Sequence, residues 1–229
     1  MKLSRSKIEL FVECPRCFYL DQVHRISRPP GFPFSLNNAV DELLKKEFDY
    51  YRSQKMSHPL QTQSAPDFIP ADDARMDQWR NSLRGGVSYF HPEHNCTYFG
   101  GIDDLWVNDK NEYAVVDYKA TAGDQPVTTL PTWAGGYARQ LAFYAWLLQQ
   151  NGLTVLNTGY IVYATACKSR DRFENKLDFD IHLLPIALDY SWITPTLNNL
   201  QQMLASKNVP RANPNCKYCS YMERGMKIT

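Results

Sequence analysis

The sequence predicts an α/β protein with a helical N-terminal half and a sheet in the second half. Apolar residues recur at helical spacing over residues 37–52. Four later segments are rich in the β-branched and aromatic residues typical of strands: 97–107, 112–121, 158–165 and 176–186. A strongly helical stretch at 137–152 separates the second of these strands from the third.

The remaining elements follow from helix-breaking residues and composition. Pro15 ends a first short helix and opens a second, and residues 28–34 form a loop because they contain three prolines and a glycine. The polar, proline-bearing stretch 53–75 predicts a long connection. Helices are expected near 74–84 and over 191–205.

Length and composition predict one globular domain. The chain has 229 residues, of which 44% are hydrophobic and 21% charged. The N-terminal residues lack the long uncharged run of a signal peptide, and no segment approaches the roughly 20 apolar residues of a membrane span. We therefore expect a cytoplasmic protein with a single domain over residues 1–229.

The net charge of +1 hides an uneven distribution. Residues 1–30 hold six basic and three acidic residues, and residues 207–229 hold five basic and one acidic residue. The middle of the chain is correspondingly acidic. The basic ends are either solvated tails or a surface that holds phosphates, and charge alone does not decide between them.

The stretch VVDYKAT, residues 115–121, contains the first candidate site. In a strand, Asp117 and Lys119 point to the same face because side chains alternate. One interpretation is a surface ion pair at the end of a strand. The other is a metal ligand beside a catalytic lysine.

The preceding strand adds a second carboxylate. The strands on either side of residues 108–111 are expected to form an antiparallel hairpin. A loop of two or four residues places Asp104 opposite Asp117, whereas a three-residue loop places Asp103 there. Two facing carboxylates repel unless a cation lies between them, so the pattern indicates an Mg²⁺ or Mn²⁺ site. The alternative is a solvent-facing hairpin with scattered charges.

These two strands resemble a known family. GIDDLWV followed by VVDYK is similar to the core of the PD-(D/E)XK nuclease superfamily, in particular its RecB-like branch. The resemblance implies a restriction-endonuclease-like core, with a small mixed sheet flanked by helices. It also implies an Mg²⁺- or Mn²⁺-dependent nuclease that hydrolyses phosphodiester bonds of single-stranded DNA or duplex ends. Asp104 and Asp117 would hold the metal, and Lys119 would assist the attacking water.

Two further positions match the branch. Gln140 and Tyr144, in QLAFY, match its helix motif and would support the site, although they also fit an ordinary amphipathic helix. The branch usually carries a histidine ligand on an N-terminal helix, where this chain has Asp41. Asp41 would be the third metal ligand, and its alternative is a solvated helix residue.

The cysteines predict a second site. Four of the six form two C-x-x-C pairs about two hundred residues apart: Cys14, Cys17, Cys216 and Cys219. In a cytoplasmic protein, such pairs more often bind a metal than form disulfides or a redox centre. A shared site would join the N- and C-terminal segments.

The flanks of these cysteines resemble those of iron–sulfur nucleases, namely the CRISPR-associated adaptation exonucleases and the AddB nuclease domain. The resemblance implies a [4Fe–4S] cluster. Those proteins usually place a last cysteine near the position of Gly225, where this chain has none, so Cys17 would supply the fourth thiolate. Four thiolates also suit Zn²⁺, which remains the alternative.

Together these observations predict a metal-dependent deoxyribonuclease. The resemblance implies an exonuclease of DNA repair, recombination or CRISPR-type DNA processing, with a helicase or CRISPR-type protein as partner. Two other classes stay open: a non-catalytic nucleic-acid-binding protein with a structural four-cysteine site, and a redox sensor.

Overall fold

The computed structural model describes residues 1–31, 34–83, 85–206 and 208–227. In chain order, the elements are β1 (Lys2–Ser4), α1 (Arg5–Glu13), α2 (Pro15–Val23), α3 (Ser35–Ser53), α4 (Pro59–Ser64), β2 (Ile69–Pro70), α5 (Met76–Arg80), β3 (Val87–His91), β4 (Cys96–Gly100), β5 (Asp104–Val107), β6 (Tyr113–Gly123), α6 (Gly135–Gln150), β7 (Thr158–Cys167), β8 (Phe179–Ala187), α7 (Ile193–Ala205) and α8 (Lys217–Gly225). A 3-10 turn, Thr132–Ala134, precedes α6. The α/β prediction is confirmed.

The chain divides into two compact units. The smaller unit comprises residues 1–32, 90–99 and 190–229, and the larger comprises residues 33–89 and 100–189. The predicted strand over 97–107 is therefore two strands, β4 and β5, which belong to different sheets.

The larger unit is built on a five-stranded mixed sheet in the order β2-β5-β6-β7-β8. β6 and β7 are parallel, and the other neighbouring pairs are antiparallel. Parallel neighbours need a crossover, and α6 provides it. Its predicted apolar face is buried, as Leu141, Ala145 and Leu148 show.

The two faces of β6 have different roles. Val116 and Tyr118 point into a hydrophobic core together with Phe48 of α3 and Trp106 of β5. The rings of Phe48 and Trp106 stack with 5.6 Å between centroids. Asp117 and Lys119 take the opposite face because side chains alternate along the strand. The core therefore fixes the orientation of the candidate site residues.

The smaller unit contains α1, α2, α7 and α8, and in it β1 pairs with β4 in parallel. Ser4 is the N-cap of α1 and accepts a hydrogen bond from Lys7 N. Cys14 ends α1, and Pro15 occupies the first turn of α2, as the sequence predicts. No described helix is long and apolar enough to cross a membrane.

Candidate active site

The register of the β5–β6 hairpin decides which aspartate faces Asp117. β5 pairs with β6 so that Asp104 lies opposite Val116, and this register belongs to the three-residue loop Asp109–Asn111. Asn111 has a φ of 58°, and Asn108 Oδ1 accepts hydrogen bonds from the backbone N–H groups of Lys110 and Glu112. Such a loop, with a left-handed third residue, is a common hairpin connection.

Asp103 therefore lies beside Asp117. Its Oδ2 accepts a hydrogen bond of 3.0 Å from Tyr118 N, which fixes the carboxylate against β6. The backbone is crowded nearby, since a Cβ on Gly101 would lie 2.8 Å from the Cβ of Ser82. Glycine is thus required two residues before Asp103.

The prediction that Asp104 faces Asp117 is wrong. Asp104 is fully buried on the opposite face, where it forms ion pairs with Arg52 and Arg80 and accepts a 2.7 Å hydrogen bond from Tyr118 Oη. A shift of one residue in register moves a side chain to the other face of the sheet. Asp104 is held in a buried charge network and is not part of the same site.

Lys119 shares its face with Asp117, as predicted, and the two side chains form an ion pair. The ammonium also lies 4.8 Å from the ring centroid of Tyr137, in a cation–π contact. On α6, Gln140 Nε2 donates a 2.8 Å hydrogen bond to Asp117 Oδ1 and lies 3.2 Å from Tyr144 Oη. Gln140 thereby orients Asp117, and Tyr144 supports Gln140.

Helix α3 contributes Asp41 and a lysine that sequence reasoning missed. Lys45 Nζ lies 2.7 Å from Asp41 Oδ2 and 3.0 Å from Asp103 Oδ1, so it bridges the two carboxylates. Asn37 Nδ2 also donates a 2.7 Å hydrogen bond to Ala120 O, which ties α3 to β6. The signal in the sequence was the spacing of four between Asp41 and Lys45, which puts both on one helix face.

The environment shifts the pKa values of the two central carboxyls in opposite directions. Burial raises the pKa of Asp117 to about 7; Asp103 adds to this shift and Lys119 opposes it. Burial would also raise the pKa of Asp103, but Lys45 and Lys119 outweigh it and lower that pKa. The pKa of Lys119 is raised because Asp117 and Asp103 outweigh its burial, so the side chain stays an ammonium. Neighbouring carboxyls whose pKa values are shifted in opposite directions are common at functional sites.

Asp103 and Lys119 open onto a cavity of about 640 Å³, whereas Asp117 beside them is buried and is absent from the described lining. Its described lining includes Asp41, Asp103, Lys119, Gln140 and Tyr144. Asp103 and Asp117 suit Mg²⁺ or Mn²⁺, ions commonly held by one or two carboxylates plus water. Among the described residues, Asp41, Asp103 and Asp117 do not form a ready three-ligand set, since Lys45 stands between Asp41 and Asp103.

The four C-x-x-C cysteines lie together in the smaller unit. All four are buried, and their Sγ atoms lie within 4.8 Å of one another. The Sγ–Sγ distance is 3.8 Å for Cys14–Cys219, and 3.5 Å for both Cys17–Cys216 and Cys17–Cys219. Asn213 N donates to Cys14 Sγ and Arg28 Nη2 donates to Cys216 Sγ, so two of the four sulfurs accept hydrogen bonds of the kind that stabilise a thiolate.

The sulfur spacing fits one tetrahedral ion. With zinc–sulfur bonds of about 2.3 Å, tetrahedral geometry places the sulfurs about 3.8 Å apart. A [4Fe–4S] cluster interposes four irons between the thiolates and therefore needs wider spacing. The four buried cysteines could therefore hold a metal ion.

The mixed sheet, its crossover helix and the flanking helices define a restriction-endonuclease-like α/β fold. The chain belongs to the PD-(D/E)XK nuclease superfamily, whose family model matches residues 2–224. A solved structure described as "Crystal structure of SSO0001" is similar, with a TM-score of 0.41 and 15% identity over 97% of this chain and 84% of that chain. No curated protein matches the chain. Nucleases of this superfamily generally use divalent metal ions.

Proposed function

We propose that the protein is an Mg²⁺- or Mn²⁺-dependent deoxyribonuclease whose active site is built from Asp103, Asp117 and Lys119. The observation that carries this proposal is the meeting of Asp103, Asp117 and the half-buried Lys119, of which Asp103 and Lys119 line one cavity. Superfamily membership supports the same reaction, hydrolysis of a phosphodiester bond.

Asp103 and Asp117 would hold the divalent ion. When bound, that ion would supply a polarised phosphate oxygen and an activated water. Lys119 remains protonated, so it would act as a hydrogen-bond donor to the water or to the developing negative charge rather than as a base. Gln140 would keep Asp117 in its ligating orientation. Asp41 would join as a third ligand once Lys45 moves away from it.

The finer assignment is part of this proposal. The resemblance to the RecB-like branch supports an exonuclease acting in DNA repair, recombination or CRISPR-type processing, with a helicase or CRISPR-type protein as partner. For the four cysteines, we propose one Zn²⁺ ion in place of the [4Fe–4S] cluster implied by the resemblance, because the sulfur spacing favours a single ion.

Digestion of end-labelled single-stranded and duplex DNA tests the catalytic proposal. Cleavage is expected with Mg²⁺ or Mn²⁺ and is expected to stop with EDTA. Lys119→Ala should remove turnover while metal affinity, measured by calorimetry, is retained. Lys46→Ala is the control, because Lys46 is exposed and pairs only with Glu42 among its described partners.

A non-catalytic nucleic-acid-binding protein is the second candidate, and the preformed four-cysteine site favours it. That function predicts DNA binding without metal-dependent cleavage, and loss of binding when the cysteines are replaced. Cleavage that persists unchanged in Lys119→Ala would contradict the proposed active site.

A further inference from the structure

Two exposed aromatic side chains lie at the cavity that holds the proposed active site. Phe34 directly precedes α3, and Trp133 lies in the 3-10 turn before α6; both line this cavity. Their relative accessibilities are 67% for Phe34 and 72% for Trp133. Large apolar side chains clustered at a cavity mark a binding surface more often than scattered exposed ones do.

The aromatic surface extends inward to Lys119. The ring centroid of Trp133 lies 6.1 Å from that of Tyr137, and the Tyr137 ring lies under the Lys119 ammonium. A flat ligand group stacked on Trp133 would thus be separated from Lys119, the lysine proposed to assist catalysis, only by the ring of Tyr137.

The charges of the cavity disfavour binding through phosphates alone. Lys119 is the single basic residue among the described residues that line it, and this lysine is already paired with Asp117. Asp41 and Asp103 also line the cavity, and Lys45 next to them already forms ion pairs with both, so neither lysine at this site is free to bind a phosphate. A DNA strand entering the cavity therefore needs attractive contacts with its bases, and exposed aromatic rings provide them.

We propose that Phe34 and Trp133 stack on the bases of a single-stranded DNA end and lead that end to Asp103 and Asp117. In a duplex, base faces are already stacked and are costly to expose, so this contact selects unpaired ends. The inference rests on the proposed function and deepens it by naming two specificity-determining residues.

Binding tests this inference separately from cleavage. The parent protein, Trp133→Ala, Phe34→Ala and Trp133→Phe are titrated against a fluorescein-labelled single strand with phosphorothioate linkages, which resists hydrolysis. Anisotropy is measured in Mg²⁺, and a blunt duplex of the same sequence serves as second probe. Phe173→Ala is the matched control, since Phe173 is 65% exposed and is absent from the described cavity lining.

Each alanine variant should bind the single strand about fivefold or more weakly, in keeping with base–aromatic stacking. Trp133→Phe should restore most of the affinity, while Phe173→Ala and all duplex affinities should match the parent. Unchanged single-strand affinity in Trp133→Ala and Phe34→Ala would overturn the inference, as would equal losses on both probes. A parent that binds single strands through these residues but cleaves no DNA would overturn the proposed function and leave the inference standing.

Discussion

Lys45 and Asp103 form an ion pair with 3.0 Å between Nζ and Oδ1, and the same ammonium lies 2.7 Å from Asp41. A lysine thus occupies the space between two carboxylates that would otherwise repel each other. Lys45 thus neutralises part of this acidic site, and a divalent ion bound at the proposed site would have to compete with its ammonium.

The first prediction concerns this competition. Lys45→Met should tighten Mg²⁺ binding by about tenfold or more, because it removes a positive charge next to a proposed ligand. Calorimetric titration at pH 8 measures the change. Lys46→Met is the control, since Lys46 is one residue further along α3 and its described ion pair is with exposed Glu42. Weaker metal binding in Lys45→Met would mean that Lys45 organises the site instead of competing for it.

Replacing Asp103 and replacing Asp104 should affect different properties, metal binding in the first case and stability in the second. Asp103→Asn should abolish Mg²⁺ binding and cleavage with little change in thermal stability, since it removes one ligand charge. Asp104→Asn should cost about 3–5 kcal/mol of unfolding free energy, because it leaves Arg52 and Arg80 without their buried partner. Chemical denaturation and metal titration of both variants provide the comparison. A stable, inactive Asp104→Asn protein would restore Asp104 to the active site.

The sequence contained most of the fold but only part of this site. Strand alternation placed Asp117 and Lys119 on one face, and helical spacing gave α3 and α6, because these depend on local periodicity. The choice between the neighbouring aspartates depends on loop length. The stretch GGIDD contains two overlapping Gly-x-x-Asp spacings, Gly100–Asp103 and Gly101–Asp104, so the motif fits either residue.

The residues of the β5–β6 loop determine the register that decides between Asp103 and Asp104. Asn108 accepts two backbone hydrogen bonds, and Asn111 adopts a left-handed conformation that asparagine tolerates better than most residues. Together they select the three-residue loop. The bridge made by Lys45 joins α3 to a residue almost sixty positions later, and no local pattern predicts such a contact.

The pH dependence of metal binding should report on Asp117. Burial raises the pKa of this carboxyl to about 7 in the metal-free protein, and a metal ligand must lose its proton. The apparent Mg²⁺ affinity should therefore fall about tenfold for each pH unit below 7 and level off above it. The pKa of Asp103 is lowered, so that carboxyl adds no second step near neutrality. Calorimetry from pH 5.5 to 8.5 measures the slope, and a flat profile would contradict the assignment of Asp117 as a ligand.

The four-cysteine site should contain about one zinc per chain and no iron–sulfur chromophore. Anaerobic purification with elemental analysis and visible absorbance distinguishes zinc from a cluster. Cys14→Ser and Cys219→Ser should lose the metal and melt at lower temperature, because metal binding at such sites is coupled to folding. Cys167→Ser is the control, since Cys167 is not one of the four grouped cysteines. Four irons per chain with broad visible absorbance would establish the cluster instead.

Asp41 has two proposed roles that can be separated by experiment, as a metal ligand and as an ion-pair partner of Lys45. Asp41→Asn alone is ambiguous, because it removes a carboxylate oxygen and also releases the ammonium 2.7 Å away. A double-mutant cycle with Lys45→Met resolves the ambiguity. If Asp41 binds the metal, Asp41→Asn should weaken Mg²⁺ affinity about equally in the parent and in the Lys45→Met protein. If Asp41 acts only through Lys45, the effect should disappear once that lysine is gone. We expect the loss to persist, since a carboxylate on this helix face lines the same cavity as Asp103 and Lys119.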